Sequence, residues 1–330
     1  MIEAIRVTNS HGMSLEVLNI GGAITKILVP DKNGKVENIV LAYQDYNDYI
    51  INKAYLGVII GRTGGRIGEA KFELDGTEYS LPKNNNDNTL HGGTGIHTKI
   101  WEMKQIDNTI KLTYFSKDGD DGYPGNVKIE VRYTLTDDNA ISIDYTATTD
   151  KATLLNLTNH TYFNLAGEAK KDVLSHSLKL NSNFILEIDK FSIPTGKLIN
   201  VKDEPTFDFT TKKIIGKDIN DLILSETSGY DHPFVIDKDM TQDMVVYSDD
   251  VTKRYMTMNT TYPNVIIYTA NSPTQEKLLG GSKYNARYGI CFEAQNPPIG
   301  ANECNKEMSI LKPNEVYKQN TTYKFGIIGQ

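Results

Sequence analysis

The chain's 330 residues, 39% hydrophobic and 23% charged, suffice to bury a large core and are too apolar for a disordered polymer. A formal charge of −7, from 42 acidic against 35 basic residues with no Lys or Arg cluster, argues against nucleic acid or another polyphosphate as partner. Two cysteines, Cys291 and Cys304, make neither a disulfide framework nor a thiolate metal site, and no run approaches the ~20 apolar residues of a membrane span, so a cytoplasmic protein without membrane association is expected.

Along the chain the N-terminal segment carries a charge every few residues and lacks an apolar h-region, so no secretory signal is expected. Residues 24–29 and 36–42, separated by an Asn33-Gly34 turn, read as strands. Residues 71–74 and 77–81 flank Asp75-Gly76, a strong hairpin signal. Residues 127–133 and 141–145 alternate apolar with polar side chains around a turn at Asp137-Asp138-Asn139, as half-buried strands do. Residues 265–269, 288–293 and 323–328 are the late strands. Helical candidates are short: residues 45–51, and a weak one over 212–224. Lys170-Lys171 and Lys212-Lys213 read as isolated pairs on a solvated surface. Strands do not alternate with long amphipathic helices, which disfavours a doubly wound fold. A length prior of ~150 residues per domain would suggest two domains, but large β-sandwiches exceed it as one unit. With no linker, repeat or low-complexity segment, the chain reads as a single all-β domain over 1–330, a sandwich or barrel.

Five segments carry chemistry-bearing residues. Gly61-Arg62-Thr63-Gly64-Gly65-Arg66-Ile67-Gly68 misses both the Walker and the dinucleotide spacings and reads as a glycine-rich turn. Arg66 within it offers a planar fork of donors to two neighbouring oxygens of a ligand. Leu90-His91-Gly92-Gly93 follows an Asn-rich run over residues 84–88 and is a loop, where a histidine is usually only a surface residue. In Asn156-Leu157-Thr158-Asn159-His160-Thr161-Tyr162-Phe163-Asn164-Leu165, His160 is either a core histidine satisfied by neighbouring Asn and Thr side chains, or one oriented to act as an acid. Asp231, in Gly229-Tyr230-Asp231-His232, fits a turn cap as well as a site. Glu293 lies in an apolar run, and a two-residue period puts it on one face with Cys291 and Gln295, opposite Ile290, Phe292 and Ala294. A carboxylate on an interior face either pairs with a base or has work to do. No HExxH, CxxC or EF-hand spacing occurs, and His91 and His97 in one loop are too little for a site, so no metal is expected.

In order, G-G-R-I, T-L-H-G-G, N-H-T-Y-F-N-L, G-Y-D-H-P-F, Y-T-A-N and F-E-A-Q-N-P-P resemble the aldose 1-epimerases, or galactose mutarotases, from about Gly61 to Asn302. The resemblance implies a large antiparallel β-sandwich that interconverts the α and β anomers of a free aldohexose such as galactose or glucose, as a monomer or homodimer without a cofactor. It matches Glu293 to the catalytic base and His160 to the catalytic acid. It matches Arg66, His91 and Asp231 to residues that hold sugar hydroxyls, with Tyr162 beside His160. The chain departs from the pattern at Pro298-Ile299-Gly300 and at Ile266, and both departures bear on sugar preference. The chemistry requires Glu293 ionised at rest, so a cation or donor is expected beside it. The rival within carbohydrate chemistry is a glycoside hydrolase that uses Glu293 and Asp231 as its two carboxylates.

Overall fold

A computed structural model describes residues 1–238 and 243–329, and strands with irregular connections account for most of them. Among these residues every helical segment is a 3₁₀ turn of three to five residues. A nine-stranded sheet runs in the order Glu102–Ile106, Thr109–Ser116, Val127–Leu135, Ala140–Thr149, Tyr317–Ile327, Arg254–Thr260, Val245–Ser248, Ser177–Leu180 and Lys213–Ile214. A six-stranded sheet comprises β1 (Tyr162–Phe163), β2 (Phe184–Ile188), β3 (Pro194–Asn200), β4 (Asp231–Val235), β5 (Asn264–Tyr268) and β6 (Ile290–Gln295), in the spatial order β1-β6-β5-β4-β2-β3. A four-stranded sheet of the first 38 residues completes the major layers. Both large sheets are antiparallel throughout.

The main core lies between these layers. Val127, Ile129, Val131, Tyr133 and Leu135 alternate with more exposed residues and join it, as the two-residue period requires. From the other side come Ile290, Phe292 and Ala294 of β6. The Phe292 ring centroid lies 5.4 Å from that of Tyr247, and Tyr323 Oη donates to Phe292 O at 3.1 Å, so the two large sheets meet here. Cys291 belongs to a second apolar cluster on the opposite face of β6.

Turn chemistry works as its residues dictate. Asp75 and Gly76, at φ of 52° and 74°, close the hairpin of Lys71–Leu74 with Thr77–Ser80. Asp45 caps the 3₁₀ turn Tyr46–Ile50 by accepting from Asn47 N at 2.9 Å. Three expectations are corrected. The strand over residues 36–42 stops at Asn38, whose side chain accepts from Ile27 N and donates to Thr25 O and Val40 O. The chain turns there toward the six-stranded sheet, where Leu41 N donates to Tyr162 O. No helix spans 212–224; an edge strand, Lys213–Ile214, and the turns Ile215–Lys217 and Leu222–Leu224 replace it. β-Branched Ile214, Ile215 and Ile219, with Gly216 among them, disfavour a helix. Of the lysine pairs, Lys213 departs from a solvated surface: its Nζ, largely buried, bonds Pro205 O, Thr206 O and Asp218, whereas Lys170, Lys171 and Lys212 keep much of their side chains in solvent.

The glycine-rich segment is held from behind by Arg62, which is 2% exposed. Its guanidinium donates to Ser116 Oγ, Pro124 O, Thr153 Oγ1 and Lys117 O, so this arginine fastens the loop while Arg66 turns to Asn85 and Asp231. Replacing Arg62 by Met leaves buried acceptors without donors. The expected cost is about 3 kcal/mol, read as a lower urea midpoint at unchanged slope. An unchanged midpoint would show that the loop is held by other means.

Candidate active site

Glu293 sits in the middle of β6, an inner strand paired with β1 and β5. Because Phe292 turns into the core, Glu293 turns the other way, into a cavity of about 390 Å³. The carboxyl is 3% exposed; its Oε1 lies 3.4 Å from His160 Nε2 and its Oε2 has no hydrogen-bond partner among the described residues. Burial pushes Glu293 well above the usual carboxylate range, Asp231 adds to the shift, and Arg66 works against it. The expected guardian of an ionised carboxylate is therefore present but too weak. Burial therefore favours the protonated form of Glu293.

His160 reaches the same point from a segment with only two-residue pairings. Thr158–Asn159 pairs with Ile59–Ile60, and β1 pairs with Ile290 and Cys291 of β6. Between them the His160 backbone is tied at both ends, N to Val58 O at 2.9 Å and O to Gly57 N at 3.0 Å. The neighbouring Asn and Thr side chains do not satisfy the ring. Asn159 bonds Thr161 and Gly57 O, while Asn164 bonds Lys171 O, Tyr288 O and Ala166 N, so they brace the backbone. The ring's Nδ1 instead lies 3.6 Å from Cys291 Sγ. Burial lowers His160 to about 3, which favours the neutral imidazole near neutral pH.

Three further sequence candidates converge on this cavity. Arg66 pairs in register with Leu90, which delivers His91 beside Gly65. His91 accepts from Gly65 N at Nδ1 (3.3 Å), and its ring stands 5.2 Å from that of His160. The turn needs Gly92: at φ 77°, a Cβ there would lie 2.3 Å from Gly61 O. Arg66 Nε donates to Asn85 Oδ1 at 3.1 Å, and its Nη1 lies 3.7 Å from Asp231 Oδ2. Asp231 opens β4 rather than capping a turn; burial raises its pKa and Arg66 pulls it back. Tyr162 is a different case. Its ring lies 5.0 Å from His160 and lines the cavity, but its hydroxyl donates to Ala54 O at 2.8 Å, which makes it a wall rather than a hydrogen-bonding arm.

Other participants escaped the sequence reading. Tyr55, at φ 56°, packs its ring against His91, His97 and His160 at 4.8, 4.9 and 5.8 Å. Asn85 was legible only as part of an Asn-rich loop, and Tyr268 only as part of a strand and as the start of the Y-T-A-N motif, with no role given to its side chain. Of the two departures from the family pattern, Ile266 lies in the cavity, in register opposite Glu293, while Ile299 bridges to Ile67 behind Arg66.

His91, His160 and Glu293 bring potential metal-ligand atoms within 4.8 Å of one another, a grouping that no local spacing reveals. The Gly65 N–H aimed at His91 Nδ1 places the proton of the neutral ring on Nε2. His91 therefore presents a donor to the cavity rather than a lone pair, which suits a hydroxyl better than a cation. Together the side chains offer donors (Arg66, His91), an acceptor (Asp231), and a carboxyl–imidazole pair able to exchange protons.

The fold is that of the galactose mutarotase-like β-sandwiches. A galactose 1-epimerase from Lactobacillus acidophilus superposes with a TM-score of 0.86 at 29% identity over 99% of both chains. An aldose epimerase homologue from C. elegans gives 0.90 at 28% identity over 100% of both. The chain matches the aldose 1-epimerase family model over residues 3–324 and belongs to that family. It is 34% identical to the aldose 1-epimerase of Haemophilus influenzae (98% of this chain, 95% of the relative) and 32% identical to human galactose mutarotase (96% and 92%). The protein is accordingly an isomerase, one of the epimerases that act on carbohydrates. No helix among the described residues is long and apolar enough to cross a membrane.

Because Glu293 is raised and His160 lowered to about 3, the pair holds one proton over a wide pH range. The pH profile of kcat/KM reports ionisations of the free enzyme. It should show no acid limb near ~6.5, where an exposed histidine titrates, and should fall only as pH drops toward about 3 and His160 gains a second proton. On the alkaline side activity should fall when Glu293 loses the shared proton. An acid limb centred near ~6.5 would contradict this arrangement.

Proposed function

We propose that the chain interconverts the α and β anomers of free aldohexoses such as galactose and glucose, with Glu293 and His160 moving the protons. Ring opening removes a proton from the C1 hydroxyl, delivers one to the ring oxygen and breaks the C1–O5 bond. An ionised Glu293 takes the first proton and a protonated His160 gives the second from Nε2. The open-chain aldehyde is then held beside Glu293–COOH and neutral His160, the protonation that burial favours. After rotation about C1–C2 the transfers run backwards, and closure yields either anomer. The observation that carries this reading is the 3.4 Å contact between two buried groups, His160 Nε2 and Glu293 Oε1.

The charge-separated form of the pair works because burial has tuned each member in the useful direction. A carboxylate with raised proton affinity is a stronger base, and an imidazolium with lowered affinity a stronger acid toward a weakly basic ring oxygen. Arg66 and the Nε2–H of His91 are positioned to donate to sugar hydroxyls and Asp231 to accept, while Tyr55, Tyr162 and Tyr268 supply the apolar walls. No electron changes hands in the reaction, so the proposed cycle needs no redox cofactor. The glycoside hydrolase reading requires Asp231 as a second working carboxylate; its pairing with Arg66 suits a binding role instead. We place the protein in the cytoplasm, as a monomer or homodimer.

Glu293→Gln and His160→Asn should each cut kcat by ~100-fold or more without changing the unfolding midpoint. Polarimetry on freshly dissolved α-galactose and α-glucose is the assay. Rotation that relaxes no faster with wild-type protein than without it would refute the proposal, and sugar release from a nitrophenyl glycoside would favour the hydrolase.

A further inference from the structure

A histidine that accepts and returns a proton at one ring nitrogen needs the other held in a constant state. Otherwise the neutral ring divides between two tautomers, and only one of them presents a lone pair to the substrate. In His160 the working nitrogen is Nε2, which faces Glu293 and the cavity. Its other nitrogen, Nδ1, faces the Sγ of Cys291 at 3.6 Å. Cys291 is fully buried, lies two residues before Glu293 on the same face of β6, and pairs in register with Tyr162 on one side and Tyr268 on the other. The rings of those two tyrosines stand 5.0 and 6.1 Å from the imidazole, so packing sets its plane and the sulfur sets what Nδ1 meets.

Resting on the function proposed above, we propose that Cys291 is a positioning residue for the acid–base pair: its sulfur accepts the Nδ1–H of His160 and thereby keeps Nε2 as the nitrogen that exchanges protons with the sugar. Nδ1–H then persists in both the neutral and the protonated ring, and the thiol keeps its own proton throughout. The line from Sγ through the imidazole ends at Glu293 Oε1, 3.4 Å from Nε2, while the other carboxyl oxygen, Oε2, is buried without a partner among the described residues.

Sulfur suits the position for a physical reason. In a Ser-His-Asp triad a carboxylate holds the corresponding nitrogen and stabilises the imidazolium. Here a third carboxylate beside Glu293 and Asp231 would repel both and hinder release of the proton to a weakly basic oxygen. A thiol is a weak acceptor without charge. It fixes the tautomer and leaves the acid strong.

The test combines ¹⁵N-histidine NMR with kinetics, His160 being assigned through His160→Asn. In the wild type near neutral pH, Nδ1 should show the shift of a protonated nitrogen and Nε2 that of an unprotonated one. Cys291→Ala should lower kcat about tenfold or more, part of the ~100- to 10,000-fold that proton transfer contributes, with KM within about twofold and His160 shifts averaged between tautomers. Cys291→Ser, which retains a donor–acceptor group, should restore the tautomer and most of kcat. A wild-type ring protonated at Nε2 would overturn the proposal, as would a Cys291→Ala variant with unchanged tautomer, whatever its kcat. Should the Ala variant not fold, the wild-type spectrum and the Ser variant decide. The tautomer is readable without turnover, so failure of the functional reading, no mutarotation by wild type, is distinct from failure of this one.

Discussion

The protein's chemistry depends on one constraint: a carboxyl and an imidazole taken out of water together, in contact with each other. Neither Glu293 nor His160 keeps its solution proton affinity there. A lone buried carboxylate would be costly and would simply stay protonated. Next to an imidazole of depressed affinity, the same burial makes a pair that holds one proton and favours keeping it on the carboxyl. An isomerisation that is its own reverse needs two groups that can each take and return a proton, because the residue that accepts in opening must donate in closure.

The rest of the fold can be read as the means of holding that contact. β6 is an inner strand, paired on both edges and buried along its whole length. Phe292 fixes its rotation by packing on the nine-stranded sheet, and Glu293 has nowhere to point but the cavity. His160 cannot ride on a regular strand, since it must meet Glu293 from the side. It lies instead between two minimal pairings, with its backbone tied to Gly57 and Val58. Arg62 and Gly92 shape the loops that bring Arg66 and His91 to the rim.

Much of this was legible in the sequence because it is encoded locally. Alternation in residues 127–133 and the Asp75-Gly76 turn are one- and two-residue signals, and they gave the strands directly. The inward face of Glu293 followed from strand parity once residues 288–293 were read as β. The ordered motifs pointed to the family and to the residues that gather at the cavity. What stayed hidden depends on distance in three dimensions. Tyr55 reaches three histidines from a loop without a motif, Cys291 meets His160 across a strand pair, and the protonation of Glu293 follows from how completely other segments cover it. The failed helix over 212–224 shows the opposite error, weak periodicity read without regard to β-branched residues and glycine.

The central claim is that the free enzyme stores its working proton on Glu293. Infrared difference spectroscopy between the wild type and Glu293→Gln, in the absence of sugar at neutral pH, reads that proton directly. The account predicts that the wild type shows the C=O stretch of a protonated, buried carboxyl, absent from the variant. A carboxylate band in its place, with His160 protonated, would contradict it.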